Sequence, residues 1–326
     1  MECIGLLLLL GAAFLRAQQP GAVQQGTAAR QGTADLGMSA QGIRIGPGYN
    51  SAAAGDESYH NQAVPHRKRV LAWMDVRNGY QHDAISHAVS VIERLGYETG
   101  EYDTFIRTDS QLITRGPVTG SDGKPLLYNK NLKDFDAIFF FGVREIDLTP
   151  AQKSDLLAFV HDDGKGLVVA HSGATAFFSW REFGRMVGGR FDEHPWGIIE
   201  APMLVEDHAF PGMTQLPDSF RHIDEYYQIK DFSREDARVL LRLDVSHLPL
   251  DGPLVHHRDA DFPLAWAKNY GKGRVYYSAL GHDPSNWDER AVQEMYYGAL
   301  RWALRLADAD LLPRPLPSAA SREALR

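Results

Sequence analysis

Residues 164–176 read Gly-Lys-Gly-Leu-Val-Val-Ala-His-Ser-Gly-Ala-Thr-Ala, and this stretch decides the fold class. Leu167 to Ala170 is a short apolar run between a glycine-bearing turn and a cluster of small residues, the pattern of a buried parallel strand that opens into a tight turn. It delivers His171 and Ser172 to the strand's carboxyl end. In open α/β sheets that end is where ligands collect, because the loops there converge over a crevice. Gly173 and Ala174 allow the next backbone segment to approach closely. A helix expected from near Thr175 would aim its free N–H groups into the same crevice.

The surrounding chain fits a sheet built around this strand. Val70 to Met74 predicts a first strand ending at Asp75, with turn residues Asn78 and Gly79 behind it. Apolar residues at Ile85, Ala88, Val89, Ile92 and Leu95 have helical spacing, closed at Gly96. Tyr97 to Phe105 predicts a second strand. Phe135 to Phe141 is apolar enough for the sheet centre, and Thr149-Pro150 opens a helix that runs to Gly164. The order strand, helix, strand, strand, helix, strand implies a parallel sheet with right-handed crossovers. Beyond it, Phe177 to Gly188 predicts a helix. Arg190 to Val205, Phe220 to Lys230 and Val239 to Leu243 are extended. Pro263 to Ser278 predicts a hairpin turning at Gly271, and Val292 to Leu306 a final helix.

The chain has 326 residues, 44% hydrophobic and 23% charged, which suits a soluble globular protein with a substantial core. A net charge of -8, a pI near 5.9 and no run of basic residues exclude nucleic acid and anionic membrane surfaces as natural partners. Ile4 to Leu15 is an apolar segment of signal-peptide length, too short to span a bilayer, with a small-residue cut expected after Ala17. The expected location is therefore secreted or periplasmic, without stable membrane insertion after cleavage. The only cysteine, Cys3, lies inside this segment, so the mature chain would have no disulfide, thiol nucleophile or thiolate metal site. Residues 18–66, rich in Gln, Gly, Ala, Ser and Thr, read as a disordered linker. Residues 67–307 form the globular domain, and 308–326 a flexible tail.

Five histidines, His82, His171, His194, His208 and His282, stand just past apolar strands or in the loops expected to cover them, with Asp83, Glu225 and Asp283 nearby. Imidazoles and carboxylates are what proton transfer near neutral pH, or coordination of a divalent cation, requires. Each ring taken singly has a structural reading, capping a turn or satisfying a buried carbonyl. His82 and His171 are the acid/base candidates, with Glu225 as a second carboxylate or orienting group. Asp83, Ser172, His194, His208, Tyr226, Trp266 and His282 are the substrate-binding candidates. A metal, with zinc the first choice, would draw on His82, His171, His208 and His282, although no H-E-x-x-H motif is present. His256-His257 is no metal pair, since adjacent side chains in an extended segment point to opposite faces. Ser172 sits on a turn like a nucleophile elbow but lacks the first glycine of G-x-S-x-G. Trp266, Tyr270, Trp287, Tyr226 and Tyr227 are candidates either for a sugar-stacking platform or for aromatic core.

Taken together, Gly79 with His82-Asp83, the stretch Gly166 to Ala174 with His171, Phe191 to Pro195 with His194, and Asp207-His208 resemble the ThuA-like, trehalose-utilisation family. So do Asp224-Glu225-Tyr226-Tyr227, Pro263 with Trp266, and Gly271 to Tyr277 leading into Leu280-Gly281-His282. The match spans about Lys68 to Leu306. It implies a flavodoxin-like three-layer sandwich with a mainly parallel central sheet, related to class I glutamine amidotransferases, and a small-molecule carbohydrate partner such as a disaccharide or keto-sugar. Related amidotransferases carry a cysteine nucleophile where this chain has His171-Ser172, so glutamine hydrolysis by that route is excluded. Three functions stay open: a sugar hydrolase, lyase or isomerase using His/Glu acid–base chemistry, a non-catalytic carbohydrate-binding module, and a zinc-dependent hydrolase.

Overall fold

A computed structural model describes residues 67–126 and 129–316. The expected signal segment and linker lie outside the described residues, as does the end of the tail. Among the described residues no helix is long and apolar enough to cross a membrane.

In chain order the elements are β1 (Lys68–Trp73), α1 (Ala84–Thr99), β2 (Tyr102–Arg107), β3 (Ala137–Phe140), α2 (Pro150–His161) and β4 (Gly166–Ala170). There follow α3 (Arg181–Val187), β5 (Arg190–Glu193), β6 (Ile198–Val205), β7 (Ser219–Glu225), β8 (Gln228–Lys230) and β9 (Arg238–Leu243), then β10 (Pro263–Tyr270), β11 (Gly273–Ser278) and α4 (Arg290–Ala303). Nine strands form one sheet in the order β2-β1-β3-β4-β11-β10-β9-β6-β7. The half from β2 to β11 is parallel throughout. From β11 to β7 every pairing is antiparallel. β3 and β4 are buried along their whole length, as apolar runs at the centre of a sheet covered on both faces must be.

The two faces follow from the pleat. Gly166 and its register partner Arg274 point toward α4, where a Cβ on Gly166 would strike Ala303 and where Arg274 donates to the Trp302 carbonyl. The next residue along, Gly273, faces the other way and meets Val160 of α2. α1 packs beside α4, and α3 lies on the α2 face against Trp266 of β10. The result is the expected three-layer, flavodoxin-like sandwich, with an antiparallel extension on one side.

Three local expectations are corrected. The first helix does not stop at Gly96 but runs to Thr99, and Gly100 at φ 71° ends it by donating its N–H to the Gly96 carbonyl. Gly96 is there for packing: an added Cβ would lie 2.4 Å from the Tyr102 ring. The second strand accordingly begins later, at Tyr102. After β4 the chain makes a single 3-10 turn over His171–Thr175, and α3 begins only at Arg181. The helix expected from near Thr175 therefore does not aim its N-terminus into the crevice beside His171.

Candidate functional site

Parallel strands β1, β4 and β11 end at the same sheet edge, and each hands over a histidine: His82 just before α1, His171 directly after β4, and His282 after β11. A carboxylate arrives from further away. The β6–β7 hairpin pairs with β9 only through Met203–Val205, so the rest of the ribbon extends past the carboxyl edge of the sheet. It brings Glu225, at the end of β7, back over the histidines. Buried Asp224 holds this arrangement, accepting from the backbone N–H groups of Gly281 (2.8 Å), His282 (3.1 Å) and Glu225 (2.9 Å). His222, itself clamped by Glu289 at 3.0 Å, lies 3.3 Å from the same carboxylate.

In the resulting cluster one donor atom from each of His82, His171, Glu225 and His282 lies within 4.8 Å of the others. His171 sits at φ 38°, a left-handed backbone that a residue with a Cβ rarely adopts. Its ring is fully buried, and Nδ1 lies 2.7 Å from the Ala279 carbonyl. A carbonyl only accepts, so Nδ1 donates there and Nε2 faces the cluster. There it meets the Tyr227 hydroxyl at 2.9 Å, His282 Nδ1 at 3.2 Å and Glu225 Oε2 at 3.6 Å. Burial raises the Tyr227 pKa well above the usual phenol value, so the hydroxyl keeps its proton.

Charge is divided unevenly across the cluster. Burial opposes ionisation of Glu225, but the hydrogen bond with His282 and the nearby His171 ring, 3.6 Å away, outweigh that and hold the carboxyl far below the usual range. His282, 3.2 Å from Glu225, is pushed upward by that hydrogen bond. His82 goes the other way, down to about 3, because it is buried and faces two other imidazoles. Its ring stands edge-on to His171 and His282 at 5.0 and 4.9 Å between centroids, and its buried Nδ1 has no hydrogen-bond partner. A buried nitrogen without a partner costs free energy unless a ligand or ion satisfies it.

The other predicted site residues fall into two groups. His194 stays at the rim, half-exposed, with Nδ1 3.9 Å from Glu225. Asp83 is beside His82 in sequence but exposed, and its side chain forms no cap on α1. The remainder are placed elsewhere. His208 follows β6, which runs opposite to β4, so it emerges at the far edge of the sheet and pairs with exposed Asp218 at 2.8 Å. It is removed from both the metal and the substrate candidates. Ser172 is buried and its hydroxyl donates to the Gly142 carbonyl at 3.1 Å, facing the fold rather than the cluster. Trp266 is buried in mid-strand against Tyr277 and Phe232, with its indole N–H on the Val187 carbonyl. Tyr226 is buried with its hydroxyl on the His222 carbonyl. The aromatic-core alternative holds for both, and for Trp287, which stacks on Tyr296. His256 and His257 pair with separate carboxylates, Asp192 and Asp259.

Two residues next to the cluster fall outside the predicted site. Tyr227, considered only as a platform aromatic, is a buried hydrogen-bond partner of His171. Tyr80 stands at the mouth, 67% exposed, edge-on to His82 at 4.8 Å and parallel to His282 at 6.3 Å. The signal for Tyr80 was its place two residues before His82, in the loop after β1.

Comparison with known proteins places the chain. It resembles a solved ThuA-like protein from Bacteroides uniformis (22% identity, 74% of this chain and 94% of that one, TM-score 0.58). It is also similar to one from Parabacteroides merdae (17% identity, 78% and 96%, TM-score 0.56). These likenesses show the fold. A comparison with curated proteins finds no match. The model of the trehalose-utilisation family matches residues 69–303, and the chain therefore belongs to the ThuA family.

Proposed function

We propose that this protein is a carbohydrate-active enzyme whose reacting centre is the cluster of His82, His171, Glu225 and His282, and that these residues hold a divalent cation, zinc first. One observation carries the reading: three imidazoles and one ionised carboxylate converge within 4.8 Å at the carboxyl edge of the sheet. Imidazole donors favour zinc and its neighbours over magnesium or calcium, which prefer an all-oxygen shell. The residues fit the ion in two further respects. His171 Nδ1 donates to a backbone carbonyl, the outer contact that fixes a ligating histidine's tautomer. His82 keeps a buried nitrogen unpartnered. When bound, the cation supplies Lewis-acid polarisation of a substrate oxygen. Glu225 supplies negative charge, and His194 at the rim faces whatever enters. The family's trehalose-utilisation description supports a disaccharide or derived keto-sugar as substrate, and the apolar segment Ile4 to Leu15 supports action outside the cytoplasm.

A second reading, acid–base chemistry without a metal, is favoured by the Tyr227 hydroxyl, which already engages His171 Nε2 at 2.9 Å. In that case the proton-rich His282 serves as acid and neutral His82 as acceptor, a division of the kind environments create by driving pKa values apart.

Elemental analysis of the purified full chain, paired with a disaccharide and keto-sugar turnover screen with and without chelator, tests both. About one zinc per chain and chelator-sensitive turnover are expected. Turnover indifferent to chelator selects the acid–base reading, and sugars bound but chemically unaltered after long incubation would show a binding module instead.

A further inference from the structure

Of the aromatic residues expected to stack on sugar, Trp266, Trp287, Tyr226 and Tyr227 are buried, yet one ring beside the cluster is wet. Tyr80 is 67% exposed, whereas Phe141 and Tyr227, which also border the histidines, are buried. A large aromatic left in water beside a polar cluster contributes nothing to the core. Its hydrophobic face is available to a ligand.

Tyr80 is also held in place. The preceding Gly79, at φ +90°, presses so closely on the segment after β3 that a Cβ would lie 2.2 Å from the Arg144 side chain. Asn78 donates to the Glu145 carbonyl at 2.9 Å, and Gln81 donates to the Val76 carbonyl at 2.9 Å. The ring itself rests edge-on against His82 and lies parallel to His282, within 3°. A pinned loop presents the ring, so a ligand does not have to order it on binding.

We propose that Tyr80 is the stacking surface of a sugar-ring subsite adjoining the cluster: one pyranose of a disaccharide lays its C–H face on Tyr80, while the atoms to be changed face His282 and Glu225. The chemistry is specific to that ligand class. A pyranose presents apolar C–H faces bordered by hydroxyls, which suits an aromatic face beside the polar His82 and His282 rings. The inference rests on the carbohydrate reading of the cluster.

Calorimetric titration of the full-length E225Q, E225Q/Y80A and E225Q/Y80F proteins with trehalose, maltose and sucrose tests it, with the wild type titrated alongside. Y80A is expected to weaken disaccharide binding about tenfold, the size of one good ring-face contact, while Y80F stays within about twofold because the face is retained. Thermal melts of the Y80 variants should match their parent, since the side chain is exposed. Equal affinity with and without the ring, or an equal loss in Y80F and Y80A, overturns the stacking role and leaves the carbohydrate reading standing. Absence of binding to all three sugars by both the wild type and E225Q removes that reading, and the subsite with it.

Discussion

His171 concentrates several constraints in one side chain. Its backbone is left-handed at φ 38°, its Nδ1 is committed to Ala279, and its Nε2 meets Tyr227, His282 and Glu225. Conformations of this kind cost about 1–3 kcal/mol and persist where the surroundings enforce them, typically at functional sites. Asparagine tolerates the left-handed region better than other non-glycine residues. H171N should therefore fold, with a cooperative melt, yet lose at least ~10²-fold in kcat/KM on any sugar the wild type turns over. Retained turnover would take His171 out of the mechanism. Ser172, its neighbour, shows how a sequence pattern can mislead: a hydroxyl at a strand-end turn resembles a nucleophile until its hydrogen bond to Gly142 is seen.

The β6–β7 ribbon and helix α1 do the positioning. Asp224 ties the end of the ribbon to the turn after β11 through the backbone N–H groups of Gly281 and His282, and so sets the distance between Glu225 and His282. D224N replaces an acceptor oxygen with a donor against those N–H groups. Outer contacts of this type are typically worth 10–100-fold in metal affinity or activity. The variant should show a loss of about that size in kcat/KM together with reduced zinc content, measured on protein whose circular dichroism is native. In α1, Gly→Ala in a helix interior ordinarily stabilises by ~0.5–1 kcal/mol. At Gly96 the sign should reverse, because the new methyl would meet the Tyr102 ring at 2.4 Å and overpacking typically costs about 1–3 kcal/mol. A urea titration reads this directly, and a higher midpoint in G96A would show that Tyr102 can move aside.

Across the whole molecule, the cluster makes stability depend on pH. His82 is held down to about 3 when folded, against about 6.5 when unfolded. Between these values the unfolded chain binds the extra proton, so stability is fully present above about 6.5 and is lost as pH falls toward 3. Glu225, also lowered, acts in the same direction below its unfolded value. Raised His222 and His282 act oppositely: their contribution is complete below about 6.5 and fades as pH rises through their folded values. Chelator-treated wild type should therefore melt lower at pH 4.5 than at pH 6.5, and the drop should be smaller in H82N. An equal drop in both would mean that His82 is not held neutral.

The sequence by itself determined the class of the fold and the histidine side of the cluster. Buried parallel strands announce themselves as unbroken apolar runs, such as Phe135 to Phe141 and Leu167 to Ala170, and parallel strands must deliver whatever follows them to one edge. His171 and His282 were legible for that reason, and His82 because it opens the helix after the first strand. Strand direction in the antiparallel half was not legible. Alternation along β6 and β7 marks strands without saying which edge each end reaches, so His208 was expected at the site and instead emerges at the opposite edge. Only the tertiary structure decided how the overhanging ribbon returns Glu225 to the cluster, which aromatic rings are sealed in the core, and that Tyr80 stays in water beside the histidines. Those outcomes depend on contacts between residues far apart along the chain, and no local spacing encodes them.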